Sequence, residues 1–437
     1  MHVPIVILGA GIAGISAANA IQHTYPQDYL VLESSGAVGG MSASFTIDGF
    51  NFDYGIHGLY TDDYSVFETL ANAISNEHDS LKLSIVDYWK GEWSRHPIHS
   101  NLASLPSELA SEYLEDFLQN LGKVKVSDSA TFQEWCLSKL GHRISTSFVF
   151  PYVRKFWTVE PSELTSDWMG PRIKVPTVDE IVAGAMVEDA PDHHYVKNIF
   201  YPRHSGFGAY AEALSKGVRI GFHKEPTQID TNLQRINLSD GTCVTYDCII
   251  SSVPLPSLLQ LILDVPRHVS DSARKLRATS LALVSLGIKR SEVLKHHWVY
   301  VHDSDLTISR LSSPSNWASE NAPSEMSSIQ AEVYFRGRVQ NKNRLMSAVL
   351  DDLRRMNILR ESDEVLVDDF RVKEYANVIY DRHRASALKG INAFLNERRV
   401  FVCGRYGLWD YSLVPEVMTR ARHTVEAALL FLNDGAG

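Results

Sequence analysis

Gly9, Gly11 and Gly14 are the residues whose spacing says most about the chemistry of this 437-residue chain. They follow an apolar run, Pro4 to Leu8, and open a small-residue helical pattern; a second apolar run, Tyr29 to Leu32, then ends on Glu33. Strand, glycine triplet, helix, strand and carboxylate in that order form a βαβ unit. The first glycine permits a tight turn, the second lets the backbone approach a pyrophosphate, and the third lets the helix pack close against the strand. The N–H groups at the helix start, Ile12 and Ala13 among them, and the helix dipole then face phosphate oxygens. Glu33, nineteen residues beyond Gly14, is placed to accept from ribose hydroxyls. A bound dinucleotide is implied.

Ser34 follows the carboxylate, and a second glycine pair, Gly39 and Gly40, comes next with Met41 and a small-residue run. Glycines so soon after the ribose contact let the backbone lie along more of the same ligand. The arrangement resembles the flavoprotein superfamily of the amine oxidases, in which such a pair contacts FAD. An ordinary turn before a hairpin is the competing reading.

These residues need a doubly wound sheet to hold them. The pattern predicts an α/β chain: a Rossmann-like FAD-binding sheet, an inserted helical segment, and a second, mainly antiparallel sheet that carries the substrate. The FAD-binding domain is expected to be discontinuous, over residues 1–80, 200–265 and 395–437. Residues 100–200 form the helical insertion, with a mobile acidic substrate loop following a helix near 177. Residues 80–100 and 266–394 form the second sheet domain. Within these, 103–147 reads as helical, Asp240-Gly241 as a hairpin turn, 279–289 and 326–335 as alternating strands, 400–404 as a last strand and 415–432 as a closing helix.

Composition narrows the partners. The formal charge of −10 argues against a nucleic-acid footprint, which needs a basic face, so any anionic ligand must be met by local cations. Four cysteines without CxxC spacing fit a reducing, cytoplasmic setting. The apolar start lacks a basic leader segment and flows into the glycine motif, and no run of about 18 apolar residues suggests a membrane span. His193-His194 and His296-His297 lack a metal-ligand pattern, so no metal is assigned.

Five separated patches carry a more specific resemblance: FNFDYGIHGLYTDD, FPYVRKFWTVEPSELTSDWMGPRI, YPRHSGFGAYAEAL, ISRLSSPSNW and GRYGLWDYS. In order and spacing they resemble the UDP-galactopyranose mutases, FAD proteins that interconvert the pyranose and furanose rings of a nucleotide sugar. The resemblance implies that Arg172 and Arg310 clamp the substrate diphosphate, a task suited to bidentate guanidinium groups. It implies that Tyr380 and Tyr411 also bind phosphate, that Tyr152 stacks on the uracil and that Trp157 lies near the sugar. It places His57 beside the isoalloxazine on a loop that shifts with redox state, and Gly404 and Arg405 near the flavin. Each has a bland competitor: surface arginines, core tyrosines with satisfied hydroxyls, packing aromatics, a structural histidine.

One departure from the family pattern follows Tyr411. Here the chain reads Ser-Leu-Val-Pro-Glu where polar residues are usual, so sugar recognition is expected to differ more than diphosphate recognition. The implied mechanism uses N5 of reduced FAD as the nucleophile at the anomeric carbon, with the released diphosphate stabilised by the arginines and tyrosines. Net oxidation is zero, so the flavin is reduced once; NAD(P)H is one candidate donor. A homo-oligomer is allowed. The rival is an oxidase or dehydrogenase of the amine-oxidase type on the same fold, and a third reading is a non-catalytic flavin-binding regulator.

Overall fold

The computed structural model describes the chain except residues 25–26, 122–126, 128–129, 170–172, 174, 189–198, 340 and 435–437. Two seven-stranded sheets organise it. In the first the strand order is Pro226–Asp230, Arg235–Leu238, Cys243–Ser251, His2–Leu8, Tyr29–Leu32 and Ile220–Gly221. His2–Leu8 lies at its centre, parallel to both neighbours. Its residues Ile5 to Leu8 are fully buried, as in a strand covered on both faces. Cys243–Ser251 shares its other edge between two partners. Its first half pairs antiparallel with Arg235–Leu238, through the turn at Gly241 (φ 81), and its second half pairs parallel with Val400–Val402.

One face of this sheet is covered by the helices Ile12–Thr24 and Val414–Asp434. Ala17 and Ala18 of the first and Ala421 and Ala428 of the second are buried in one core with Ile5, Ile7, Cys248 and Ile250. Side chains this small let two helices and a sheet close-pack without voids.

The second sheet runs Val365–Lys373, Ser280–Ile288, Ser327–Phe335, Arg310–Ser312, Trp298–Val301, Ile85–Trp89 and Glu92–Arg95. It is antiparallel except where Trp298–Val301 runs parallel to Ile85–Trp89. The expected alternation of 279–289 is absent from its burial, because all nine residues of Ser280–Ile288 are buried. The reason is a core on each side. Ala282, Val284, Leu286 and Ile288 join Val349 and Leu353 of the helix Lys342–Arg355, whereas Leu281 and Leu283 join the core shared with the helical segment.

That helical segment comprises Ser107–Asn120, Phe132–Ile144, a wide π-type turn at Ser145–Val149, and Phe150–Phe156. Thr131 and Glu134 close the start of the second helix with reciprocal side-chain-to-backbone bonds, and Thr177 and Glu180 do the same for Val178–Met186. The expected loop after that helix lies largely outside the described residues. The architecture is the expected one, a doubly wound α/β sheet with a helical insertion and a mainly antiparallel second sheet. Among the described residues, no helix is long and apolar enough to cross a membrane.

Candidate functional site

A cavity of about 720 Å³ lies between the two sheets and the helical segment. At one end it is walled by backbone. Gly9 turns at φ 93 and its N–H donates to the Leu32 carbonyl at 2.9 Å. Gly14 faces the turn, not the cavity: an added Cβ would lie 1.9 Å from the Gly9 carbonyl oxygen, so only hydrogen fits. Gly11 does line the cavity, with Gly39 and Gly40 beside it, and a Cβ there would meet only backbone at 3.9 Å. The Gly39 N–H donates to the Ala10 carbonyl at 2.9 Å, which ties the two glycine loops together.

Glu33 closes this end. Its Oε2 accepts from Ala10 N–H at 2.7 Å and its Oε1 from the Ser35 N–H and hydroxyl at 2.8 and 2.7 Å. Ile12, Ala13, Gly40, Met41 and Gly404 line the cavity alongside it. Ser34 does not; its hydroxyl turns back to Glu33. Gly404, at φ 76, would press a Cβ to 2.6 Å from Ala13 Cβ, so the segment just after the last strand meets the first helix there.

His57 and Arg405 occupy the middle. His57 donates from Nδ1 to the Gly55 carbonyl at 3.1 Å and stacks on Phe207 at 5.2 Å. Burial lowers its pKa, with Asp53 opposing, which favours the neutral ring. Arg405 donates to Asn377 Oδ1 at 2.9 Å and to the Ala376 and Ser412 carbonyls, and its guanidinium covers the Tyr411 ring at 4.3 Å. Its Nε is buried without a partner.

Beyond them the wall becomes side chain, set by sheet register. Tyr300 pairs with Arg310, and Arg310 pairs with Glu332, on three adjacent strands, so the three project together on one face. Arg310 donates from Nε to Glu332 Oε2 at 2.5 Å and from Nη2 to the Tyr334 hydroxyl at 2.7 Å. Its guanidinium also lies 5.0 Å from the Phe156 ring and 5.2 Å from Trp298. Burial opposes its charge, but Glu332 and the tyrosines around it push the pKa well above the ordinary value. Arg310 is a fixed cation in an aromatic setting.

The helix Phe150–Phe156 supplies the facing aromatics. Tyr152 and Phe156, four residues apart, stack at 5.4 Å. Trp157 packs on Trp168 at 4.7 Å and Tyr411 at 5.3 Å. The Tyr152 hydroxyl is buried without a partner. At the far end Asp87, fully buried, accepts from the Ile98 N–H at 2.6 Å, from His302 Nε2 at 2.8 Å and from His96 Nδ1 at 3.0 Å. Burial works against the Asp87 charge, but the two imidazoles outweigh it and hold the carboxyl far below its usual range.

The fold therefore brings His57, Arg310, Tyr152, Trp157, Tyr411 and Arg405 to one cavity with most of the glycine-end residues. Arg172 lies outside the described residues. Tyr380 is a correction: it is absent from the cavity wall, its hydroxyl donates to Asp410, and Arg384 covers its ring at 3.9 Å. The cavity takes residues 373 to 377 of that segment, Asn377 among them. Asp87, Trp298, Tyr300, Glu332 and Tyr334 were not foreseen. A carboxylate inside an apolar strand, as in IVDYW and SSIQAEVYF, was the available signal, since a buried charge must find a partner.

A glycine-walled nucleotide sheet facing a second sheet across one cavity defines a dinucleotide-dependent α/β protein. The chain belongs to the flavin containing amine oxidoreductase family, whose model matches residues 12–429. Its structure is similar to that of reduced UDP-galactopyranose mutase, with TM-score 0.91 and 22% identity over 98% of this chain and 96% of that one. It is also similar to putrescine oxidase bound to putrescine (TM-score 0.68, 13% identity, 98% and 99% covered) and to a CLA-producing fatty acid isomerase from P. acnes (0.67, 15%, 97% and 98%). At these identities the likeness is one of fold, which oxidases and isomerases share.

Proposed function

We propose that this chain binds FAD at the glycine end and uses it, reduced, as a nucleotide-sugar mutase acting on a UDP-galactose-like substrate. Arg310 is the observation that carries the reading. A guanidinium held among aromatic rings between the glycine end and the tyrosines suits a diphosphate, whose oxygens accept its remaining N–H donors, and is a poor neighbour for a cationic amine. The glycine end fits FAD: Gly11 leaves backbone room for a pyrophosphate, Glu33 stands at the ribose position, and the unpartnered Arg405 Nε has a ligand acceptor to find.

Bound and reduced, the flavin would supply a nucleophilic N5 for the anomeric carbon, with no net oxidation. The chain's own residues do the rest. Arg310, and Arg172 by the family resemblance, stabilise charge developing on the departing diphosphate. Tyr411 and Trp157 flank the sugar, and Tyr152 covers the base. Neutral His57, its Nδ1–H committed to Gly55, presents Nε2 as an acceptor on the flavin side. The test is to reduce the purified protein and follow UDP- and GDP-sugars by chromatography for ring isomerisation. Product without stoichiometric oxygen or NAD(P)H use supports the mutase. One oxygen or NAD(P)H consumed per product would instead support the amine-oxidase-type alternative, which the aromatic lining also suits.

A further inference from the structure

Glu332 is fully buried and touches both functional walls of the cavity. Its Oε2 accepts from Arg310 Nε at 2.5 Å and from the Tyr334 hydroxyl at 2.7 Å; its Oε1 accepts from the Ile56 N–H at 2.9 Å. Ile56 precedes His57, and the Gly55 carbonyl accepts from His57 Nδ1. Gly55 stands at φ 104, and a Cβ there would approach Glu332 Oε1 to 3.0 Å. The turn is thus seated on the carboxylate, with its carbonyl held by His57 and its next N–H held by Glu332. One side chain joins the cation to the histidine.

We propose that Glu332 is a positioning residue that couples the anion site at Arg310 to the His57 turn, so that ligand charge at Arg310 is registered at the flavin. This rests on the placement of FAD against His57 and of a diphosphate against Arg310. The two carboxylate oxygens share one negative charge. When phosphate oxygens take up Arg310 donors, the charge on Glu332 is less neutralised at Oε2, and its pull on the Ile56 N–H strengthens. In a site shielded from water such a change is not screened away. The coupling is reciprocal, so a flavin state that moves the turn also changes how Arg310 holds an anion.

The experiment uses the flavin-loaded protein and inorganic pyrophosphate as the probe, with binding measured by calorimetry and the flavin response by difference absorption. Pyrophosphate bound to the unsubstituted protein should perturb the flavin spectrum. In Glu332→Gln, which keeps the size and drops the charge, pyrophosphate should still bind while the spectral amplitude per bound anion falls about fivefold or more. Gly55→Ala, which disturbs the other end of the link without touching Arg310, should give the same loss and serves if Glu332→Gln does not fold. An undiminished amplitude in either variant overturns the proposal, since it would show the anion acting on the flavin directly. So does bound pyrophosphate that leaves the unsubstituted spectrum unchanged, or pyrophosphate that does not bind. Repeating the titration with UDP separates the two readings: coupling to pyrophosphate without UDP binding removes the nucleotide-sugar substrate and leaves the coupling intact.

Discussion

At the end formed by Gly9, Gly11 and Gly39 the cavity wall is backbone, brought close because no side chain intervenes. At the end formed by Arg310, Glu332 and Asp87 the wall is charged side chain, kept from water by Tyr152, Phe156, Trp298 and Tyr300. The first strategy spends its tolerance on space, since an extra carbon has nowhere to go. The second spends it on charge, since each buried ion survives only through its partners. The two ends should therefore fail differently.

The sharpest contrast lies within the glycine end. Gly14→Ala should be the most damaging change, because its Cβ would overlap the Gly9 carbonyl; a loss above about 4 kcal/mol is expected, seen as little folded protein in thermal melts. Gly11→Val, with backbone only at 3.9 Å, should instead fold and lose its flavin. A normal flavin spectrum in folded Gly11→Val would break the assignment of this end to the cofactor.

Asp87→Ala tests the charged end. It strips His96, His302 and the Ile98 N–H of their shared acceptor and should cost about 3 to 5 kcal/mol in urea denaturation. Unchanged stability would mean that the cluster is solvated after all. Arg310→Ala should weaken UDP binding by about ten- to a hundred-fold, corresponding to about 1.5 to 3 kcal/mol for a charge-assisted contact, with flavin content intact. If flavin is lost with it, the two ends are not separable.

The smallest effect is expected at Tyr380. Tyr380→Phe should leave UDP affinity unchanged and cost about 1 kcal/mol of stability, because its hydroxyl serves Asp410. Burial opposes the Asp410 charge, but Tyr380 and Arg420 hold its carboxyl at about 2. A depressed carboxylate stabilises the fold above its unfolded pKa of about 3.9, and that contribution fades as pH falls toward about 2. The deficit of Tyr380→Phe should therefore narrow between about pH 4 and pH 2 in pH-dependent melts. A deficit that stays constant would assign the Asp410 carboxyl to other partners.

The same contrast explains what could be read ahead of the structure. The glycine end is local: strand, turn and helix are consecutive, so spacing alone places Gly9, Gly11, Gly14 and Glu33. The charged end depends on register between strands far apart in sequence. No spacing says that Tyr300, Arg310 and Glu332 share a face, and Arg310 came from the family resemblance alone. Nothing in the spacing marks where the segment before Tyr380 leaves the cavity, which takes residues 373 to 377, whereas the Tyr380 hydroxyl serves Asp410 and the Tyr411 N–H. The expected alternation of 279–289 failed because a single strand served two cores.

The contact between Gly404 and Ala13 has a consequence for how the molecule is made. Residues from the start of the first helix and from the segment after Val400–Val402 form one floor, and Val400–Val402 fills the remaining edge of Cys243–Ser251. A ribosome that has released only the early segments has delivered the whole glycine motif and no closed pocket. The nascent chain must carry that half-built nucleotide sheet, with an open strand edge beside Ile249 and Ile250, until the late strand arrives. The floor of the pocket thus requires residues about 390 positions apart in the chain to be present together.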